Sequence, residues 1–279
     1  MRHIEFFDID HFEKNYHRVK PPASLSHFID FIWETDFDDL LKYYPAGFSD
    51  ALFPNVGYTY LINLGTPYVM QVGEKSFDMK GDGFLPRHNA IECFHRRGNK
   101  LFGIKFNISP VIFEKKVNFS EYRQQIYPLS YLIKPSVIAE IKKAASFDER
   151  VHTVTCYFNE IVKKYAGSMK PIQIVTEILD RCNQQNDFTV PIEKFAAEFK
   201  ISTRTLQRYF EMVTSVSSKT ALQIMRIRKA AHHLATSPTN FHYSLYGYYD
   251  PSHFYKHLKK FLHRKTLDEL KLHLQLLNK

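Results

Sequence analysis

Arg204, Gln207, Arg208 and Glu211 recur at i, i+3, i+4 and i+7, the spacing that gathers four side chains on one face of a helix. Arg and Gln can pair bidentately with guanine and adenine edges in a major groove. Ser202 stands where it can cap that helix and Thr203 opens it, so both join the candidate contacts at its outer start. A second set, Ser252, His253, Lys256 and Lys260, shares the outer face of a helix that Asp250 caps and Pro251 begins. A polar helical stripe is most often a solvated face. Cationic surroundings and a tight-turn partner helix set these two apart.

Other chemistries find less support. His88, Glu92 and His95 form the one cluster of ligand-type residues, in HNAIECFH. One short segment supplies all three, whereas a metal site in a barrel needs side chains converging from more than one strand. No nucleophile elbow, phosphate-binding loop or dinucleotide fingerprint occurs. The sequence therefore predicts no catalytic set, no metal site and no cofactor. Tyr58, Tyr60, Phe84, Phe94, Phe102 and Phe106 either floor a small-molecule pocket or form plain core.

The segments that must position the polar faces read as follows. In 192–210, Ile192, Phe195, Ala196 and Phe199 give a short helix its inner face, and the small Ala196-Ala197 pair lets a second helix cross closely. A turn at Lys200-Ile201 follows. Leu206, Phe210 and Val213 then face inward on the second helix. The pattern returns at 247–261, where Gly247 provides the turn and Phe254, Leu258 and Phe261 face inward. Between the units, Leu222, Met225, Ile227, Ala230, Ala231 and Leu234 pack one side of a long helix, and Arg226, Arg228 and Lys229 carry its charge. One stiff helix joining two reading heads fixes their spacing, near 34 Å for adjacent turns of one DNA face.

The remainder of the chain has a different character. The 279 residues are 44% hydrophobic and 24% charged, enough for two domains with real cores and too apolar for wholesale disorder. The net charge of +9 is uneven: residues 1–169 hold 21 Lys and Arg against 20 Asp and Glu, and residues 170–279 hold 17 against 9. Only the second part is built to meet phosphate. Eight of the ten glycines lie between Gly47 and Gly103, where short aromatic and β-branched runs such as 58–64 and 101–106 predict strands. The prediction is a mainly β N-terminal domain over 1–166, a barrel or sandwich with strands to about 130 and flanking helices over 135–165. An all-α domain over 170–279 follows, with two helix-turn-helix units joined by a long helix. The stripes Val137, Ile138, Ile141 and Val151, Val154, Phe158, Ile161, Val162 fit the barrel's flank or a second copy of the chain equally well. Cys93, Cys156 and Cys182 are odd in number and far apart, which predicts reduced, mostly buried thiols. No run of about 18 apolar residues occurs, and the start, MRHIEFFDIDHF, lacks the apolar stretch of a secretory signal. These features predict a cytoplasmic location with no membrane partner.

From about Ile172 to Leu270 the chain resembles the AraC/XylS family of bacterial transcription regulators. The resemblance rests on Ala196-Ala197, the S-x-R-x-L-x-R-x-F run from Ser202 to Phe210, the R-x-x-x-A spacing of Arg226 and Ala230, and the G-Y-x-D-x-S-H-F run from Gly247 to Phe254. It implies sequence-specific binding of double-stranded DNA by two helices in adjacent major grooves. The family's base contacts fall on Arg204, Gln207 and Arg208, and on Ser252, His253 and Lys256. The N-terminal half is more faintly similar to cupin-like sensing or dimerisation domains, through LFPNVGYTYLINLG and LFGIKFN. A small-molecule effector, a homodimer and RNA polymerase are left open as partners. Several positions depart from the family. Lys200 replaces the usual turn glycine; Ser215 and Ser218, then His263 and Thr266, replace the Gly and Pro after each recognition helix. His242 and Tyr243 stand where an Ile-Ala pair is expected, so the first helix of the second unit should be short and its recognition helix should hold phosphates more than read bases. The competing readings are an interaction or scaffold protein with a degenerate DNA-binding domain, and a cupin-type metal-dependent enzyme.

Overall fold

The structure is a computed structural model and describes residues 2–4, 9–113, 126–165 and 167–261. His263, Thr266 and the last residues of the AraC-like stretch lie outside that set. The order is β1 (Arg2–Ile4), α1 (Ile9–Asn15), β2 (His17–Val19), β3 (Ile29–Asp36), α2 (Phe37–Tyr43), β4 (Phe48–Leu52), β5 (Tyr58–Asn63), β6 (Tyr68–Val72), β7 (Lys75–Met79), β8 (Gly83–Pro86), β9 (Ile91–His95), β10 (Lys100–Phe106) and β11 (Tyr127–Pro128). One sheet runs β1-β4-β9-β6-β7 and the other β11-β8-β5-β10-β3-β2, antiparallel throughout except for the β1–β4 pair. The N-terminal half is thus mostly β, as its composition predicts.

Strand alternation gives the second sheet two different faces. Tyr58, Tyr60, Ile62, Phe84, Phe102, Ile104 and Phe106 point outward into an apolar cluster shared with the helices. Trp33, Leu61, Leu85 and Leu101 point inward, toward Met70 and Cys93 of the other sheet. Trp33 pairs in register with Gly103, and a Cβ at Gly103 would run into the indole. That position must be glycine for the ring to lie flat on β10.

α3 (Pro135–Lys143) and α4 (Phe147–Lys164) cover the outward face. Ile138, Ile141, Val154 and Phe158 are buried there, with Val137, Val151, Ile161 and Val162 packed at the margin. Phe158 sits among Phe28, Tyr60 and Phe106, with ring centroids 5.9, 6.4 and 5.5 Å away. Arg150 pairs with Glu34 of β3 at 3.2 Å and Lys142 with Asp82 at 2.9 Å. The apolar stripes left open by the sequence therefore lie on the protein's own sandwich.

The helical half comprises α5 (Lys170–Gln185), α6 (Ile192–Glu198), α7 (Thr203–Thr214), α8 (Ser218–Thr236) and α9 (Pro251–Phe261). Ser202 and Ser217 cap α7 and α8 through their hydroxyls, the stabilising N-terminal arrangement. Lys200 adopts φ 52° and Ser215 φ 61°. Both are left-handed, the conformation that favours glycine, at a cost of about 1 kcal/mol each. Where the second unit should begin with a helix there is a single 3₁₀ turn, Tyr243–Tyr246. Among the described residues no helix is long and apolar enough to cross a membrane.

Candidate nucleic-acid interface

The first reading face is built by burial of its opposite side. Leu206, Phe210 and Val213 are fully buried, and Phe195 and Ala196 of α6 close against them. This leaves Ser202, Arg204, Arg208 and Glu211 exposed, with Thr203 partly so. Gln207 is half-buried, and its Oε1 accepts a hydrogen bond from Ser218 Oγ at 3.0 Å. Its amide is oriented by the start of α8, so only its NH2 end is directed by this contact toward other partners.

The second face is held differently. Asp250 Oδ1 accepts from the His253 amide at 2.7 Å and caps α9. Phe254, Leu258 and Phe261 are buried, and Ser252, His253, Lys256 and Lys260 are exposed together. Arg226 of α8, expected on the charged outer side, is half-buried. Its Nε donates to the Tyr246 carbonyl at 2.6 Å and its Nη2 to that of Gly247. The same guanidinium lies 3.8 Å from the centroid of the Tyr248 ring. Tyr248 is buried, and its hydroxyl is hydrogen-bonded with His257 Nδ1 on α9 at 2.7 Å.

The helical half is also joined to the sandwich. The Ser109 amide donates to Val213 O at 2.7 Å and His88 Nε2 to Thr214 O at 3.0 Å. Both carbonyls end α7, where helical partners run out. Arg228 of α8 donates through Nη1 to the carbonyls of Phe53 and Pro54 at 3.3 and 3.2 Å. Lys229 reaches the Asn183 carbonyl. The three cations that carry this helix's charge thus each hold backbone carbonyls of the same chain.

Between the two sheets lies a cavity of about 320 Å3. Trp33, Leu61, Met70, Leu85 and Leu101 supply its apolar wall, Arg87 and Lys105 its charge, and Arg228 and His232 of α8 reach it from the helical half. The aromatics proposed as its floor do not line it. Tyr58, Tyr60, Phe84, Phe102 and Phe106 occupy the opposite face of the same sheet, and Phe94 is exposed. Every strand residue one place along faces the other way, so odd positions such as 61, 85, 101 and 105 make the wall. Tyr16 donates to Asp50 at the cavity's edge. Burial, then the Asp50 charge, holds the Tyr16 phenol well above its ordinary value. His95 stacks on Phe37 and lies 3.3 Å from Asp50, and its Nδ1 donates to Asn99 Oδ1 at 2.7 Å. Glu92 accepts from Ser49 Oγ at 3.3 Å. With His88 on Thr214, the three ligand-type residues of HNAIECFH go to three separate places. Among the described residues no three His, Cys, Asp or Glu side chains are grouped to hold a metal.

Residues 195–265 match the family described as a helix-turn-helix domain. The C-terminal region is a helix-turn-helix domain. A 1.65 Å structure of ToxT from Vibrio cholerae is similar over 92% of this chain and 98% of that chain, at 10% identity and a TM-score of 0.44. Wild-type ToxT from Vibrio cholerae strain SCE256 with bound unsaturated fatty acid is similar over 89% and 90%, at 11% identity and a TM-score of 0.40. No curated protein matches the sequence.

Around the helix-turn-helix domain, the residues that sequence reasoning misses are those whose partners are remote in the chain. Arg226 meets carbonyls about twenty positions on, and His88 meets a carbonyl 126 positions on. No local period reports either. His257 also escapes notice, being one of 14 histidines. Burial, followed by the charges of Arg226, Lys260 and His253, lowers its imidazole to about 4. An unfolded histidine titrates near 6.5, so the unfolded chain takes up this proton first. Stability from this group should be complete above about pH 6.5 and fall as pH drops toward 4. Urea unfolding followed across that window should show a shallower pH slope for His257→Gln than for the natural chain. Identical slopes would place the acid sensitivity elsewhere.

Proposed function

We propose that this protein is a cytoplasmic, non-enzymatic, sequence-specific DNA-binding transcription regulator. The observation that carries the reading is the pair of exposed cationic faces, on α7 and on α9, packed on either side of the single helix α8. Arg204, Gln207 and Arg208, with Ser202 and Thr203, read one major groove. Ser252, His253, Lys256 and Lys260 engage the next, holding phosphates more than reading bases. The cavity between the sheets is the site for a small-molecule effector, since residues of both halves line it. RNA polymerase and a second copy of the chain are the protein partners this reading carries.

Selection of bound duplexes from a random pool, with and without a small-molecule extract of cells, tests both parts. An enriched sequence establishes specificity, and a change in enrichment with extract establishes the effector. Affinity for random duplex should fall steeply with salt, with a log–log slope of several units; a flat response removes the proposal. Arg208→Ala should lower discrimination between the selected and random sequences by about 1–3 kcal/mol. An equal loss for all sequences would make Arg208 a phosphate contact.

A further inference from the structure

The two reading heads are supported unequally. α7 rests on α6, a true helix of seven residues with Phe195 and Ala196 buried against it. α9 has in the corresponding place only the four-residue 3₁₀ turn Tyr243–Tyr246. A single turn presents one face and sets no crossing angle. Arg226 stands where that support is missing. Its planar fork spans the carbonyls of Tyr246 and Gly247, the two residues that end the turn, and its face covers the Tyr248 ring. Tyr248 in turn is hydrogen-bonded with His257 on α9 and meets Phe254 edge-on, with ring centroids 5.2 Å apart. Gly247, at φ 69°, leaves no room for a side chain because a Cβ would meet Thr189. A continuous line of contacts therefore runs from α8 through Arg226 and Tyr248 to α9.

From this line we infer that Arg226 is the positioning residue for the second reading helix, fixing its angle on α8 where the support is a single turn. The inference rests on the DNA-binding reading above. It needs the guanidinium itself: an ammonium is a point charge with no planar fork to span two carbonyls while lying flat on a ring.

The test is footprinting of the full chain on a selected duplex, with affinities measured for that duplex and for one scrambled in the second half-site. The natural chain should protect two successive major-groove segments about 10 base pairs apart. Arg226→Lys should keep protection of the segment read by α7 and lose the other, with affinity for the intact duplex falling about 10-fold, the size of one lost groove contact. Its affinity for the scrambled duplex should fall by a similar factor, because the phosphates that α9 holds are present whatever the sequence. Tyr248→Phe, which keeps the ring under the guanidinium and removes only the hydroxyl bond to His257, should shift protection at the same half-site alone. This second variant carries the test if Arg226→Lys does not fold. Losses at both half-sites, or at neither, overturn the role of Arg226. A natural chain that protects no groove overturns the DNA-binding reading instead.

Discussion

Phe210→Ala should lower the unfolding free energy by about 3–5 kcal/mol, the usual result of emptying a fully buried phenylalanine site. Phe210 is fully buried at the centre of α7, and its carbonyl accepts the Thr214 hydroxyl at 2.7 Å. The surrounding wall comes from several helices, and helices pinned by a cap, a left-handed residue and two bonds to the sandwich cannot close on the void. The cost should therefore lie toward the upper end of that range. Urea unfolding followed by circular dichroism would measure it. A loss under about 1 kcal/mol would mean that α7 is loosely seated, and with it the rigid presentation of Arg204 and Arg208.

Phe158→Ala should cost a similar amount, about 3–5 kcal/mol, and the cost should not depend on protein concentration. Phe158 is almost wholly buried against Phe28, Tyr60 and Phe106, so its partners are on the same chain. Loss of the side chain should free α4 from the sheet and raise hydrogen exchange along Phe147–Lys164 before other helices respond. Unfolding midpoints taken over a hundredfold range of concentration decide the matter. A midpoint that moves with concentration would show that a second copy, and not the sandwich, completes this surface.

Much of this architecture is legible in the residues themselves. Caps, inner faces and outer faces of α7 and α9 follow from spacing, because a helix repeats locally and its apolar side must be buried. The replacement of the support helix by a short turn follows from the bulk of 241–246. The strands at 58–63 and 100–106 stand close to where their composition places them. What alternation could not say is which face of a strand meets helices and which meets the opposing sheet, because both are apolar here. Tyr60 and Leu61 look alike as core residues and part company only when the sheets are stacked. The inward use of Arg226, Arg228 and Lys229 was hidden for another reason. A cation next to apolar residues in sequence reads as solvated until a distant carbonyl is brought to it, and chain folding alone does that.

The bonds from Ser109 and His88 to the last carbonyls of α7 limit how freely the two halves can be exchanged. The same apolar cluster runs from Phe28 in the sandwich to Phe261 at the end of α9, so the seam is interior and not a hinge over water. A chimera that grafts this helical half onto an unrelated sensing module would inherit two uncapped carbonyls and a bared greasy flank. Transplantation therefore requires carrying positions 88 and 109 along with the helices they seal.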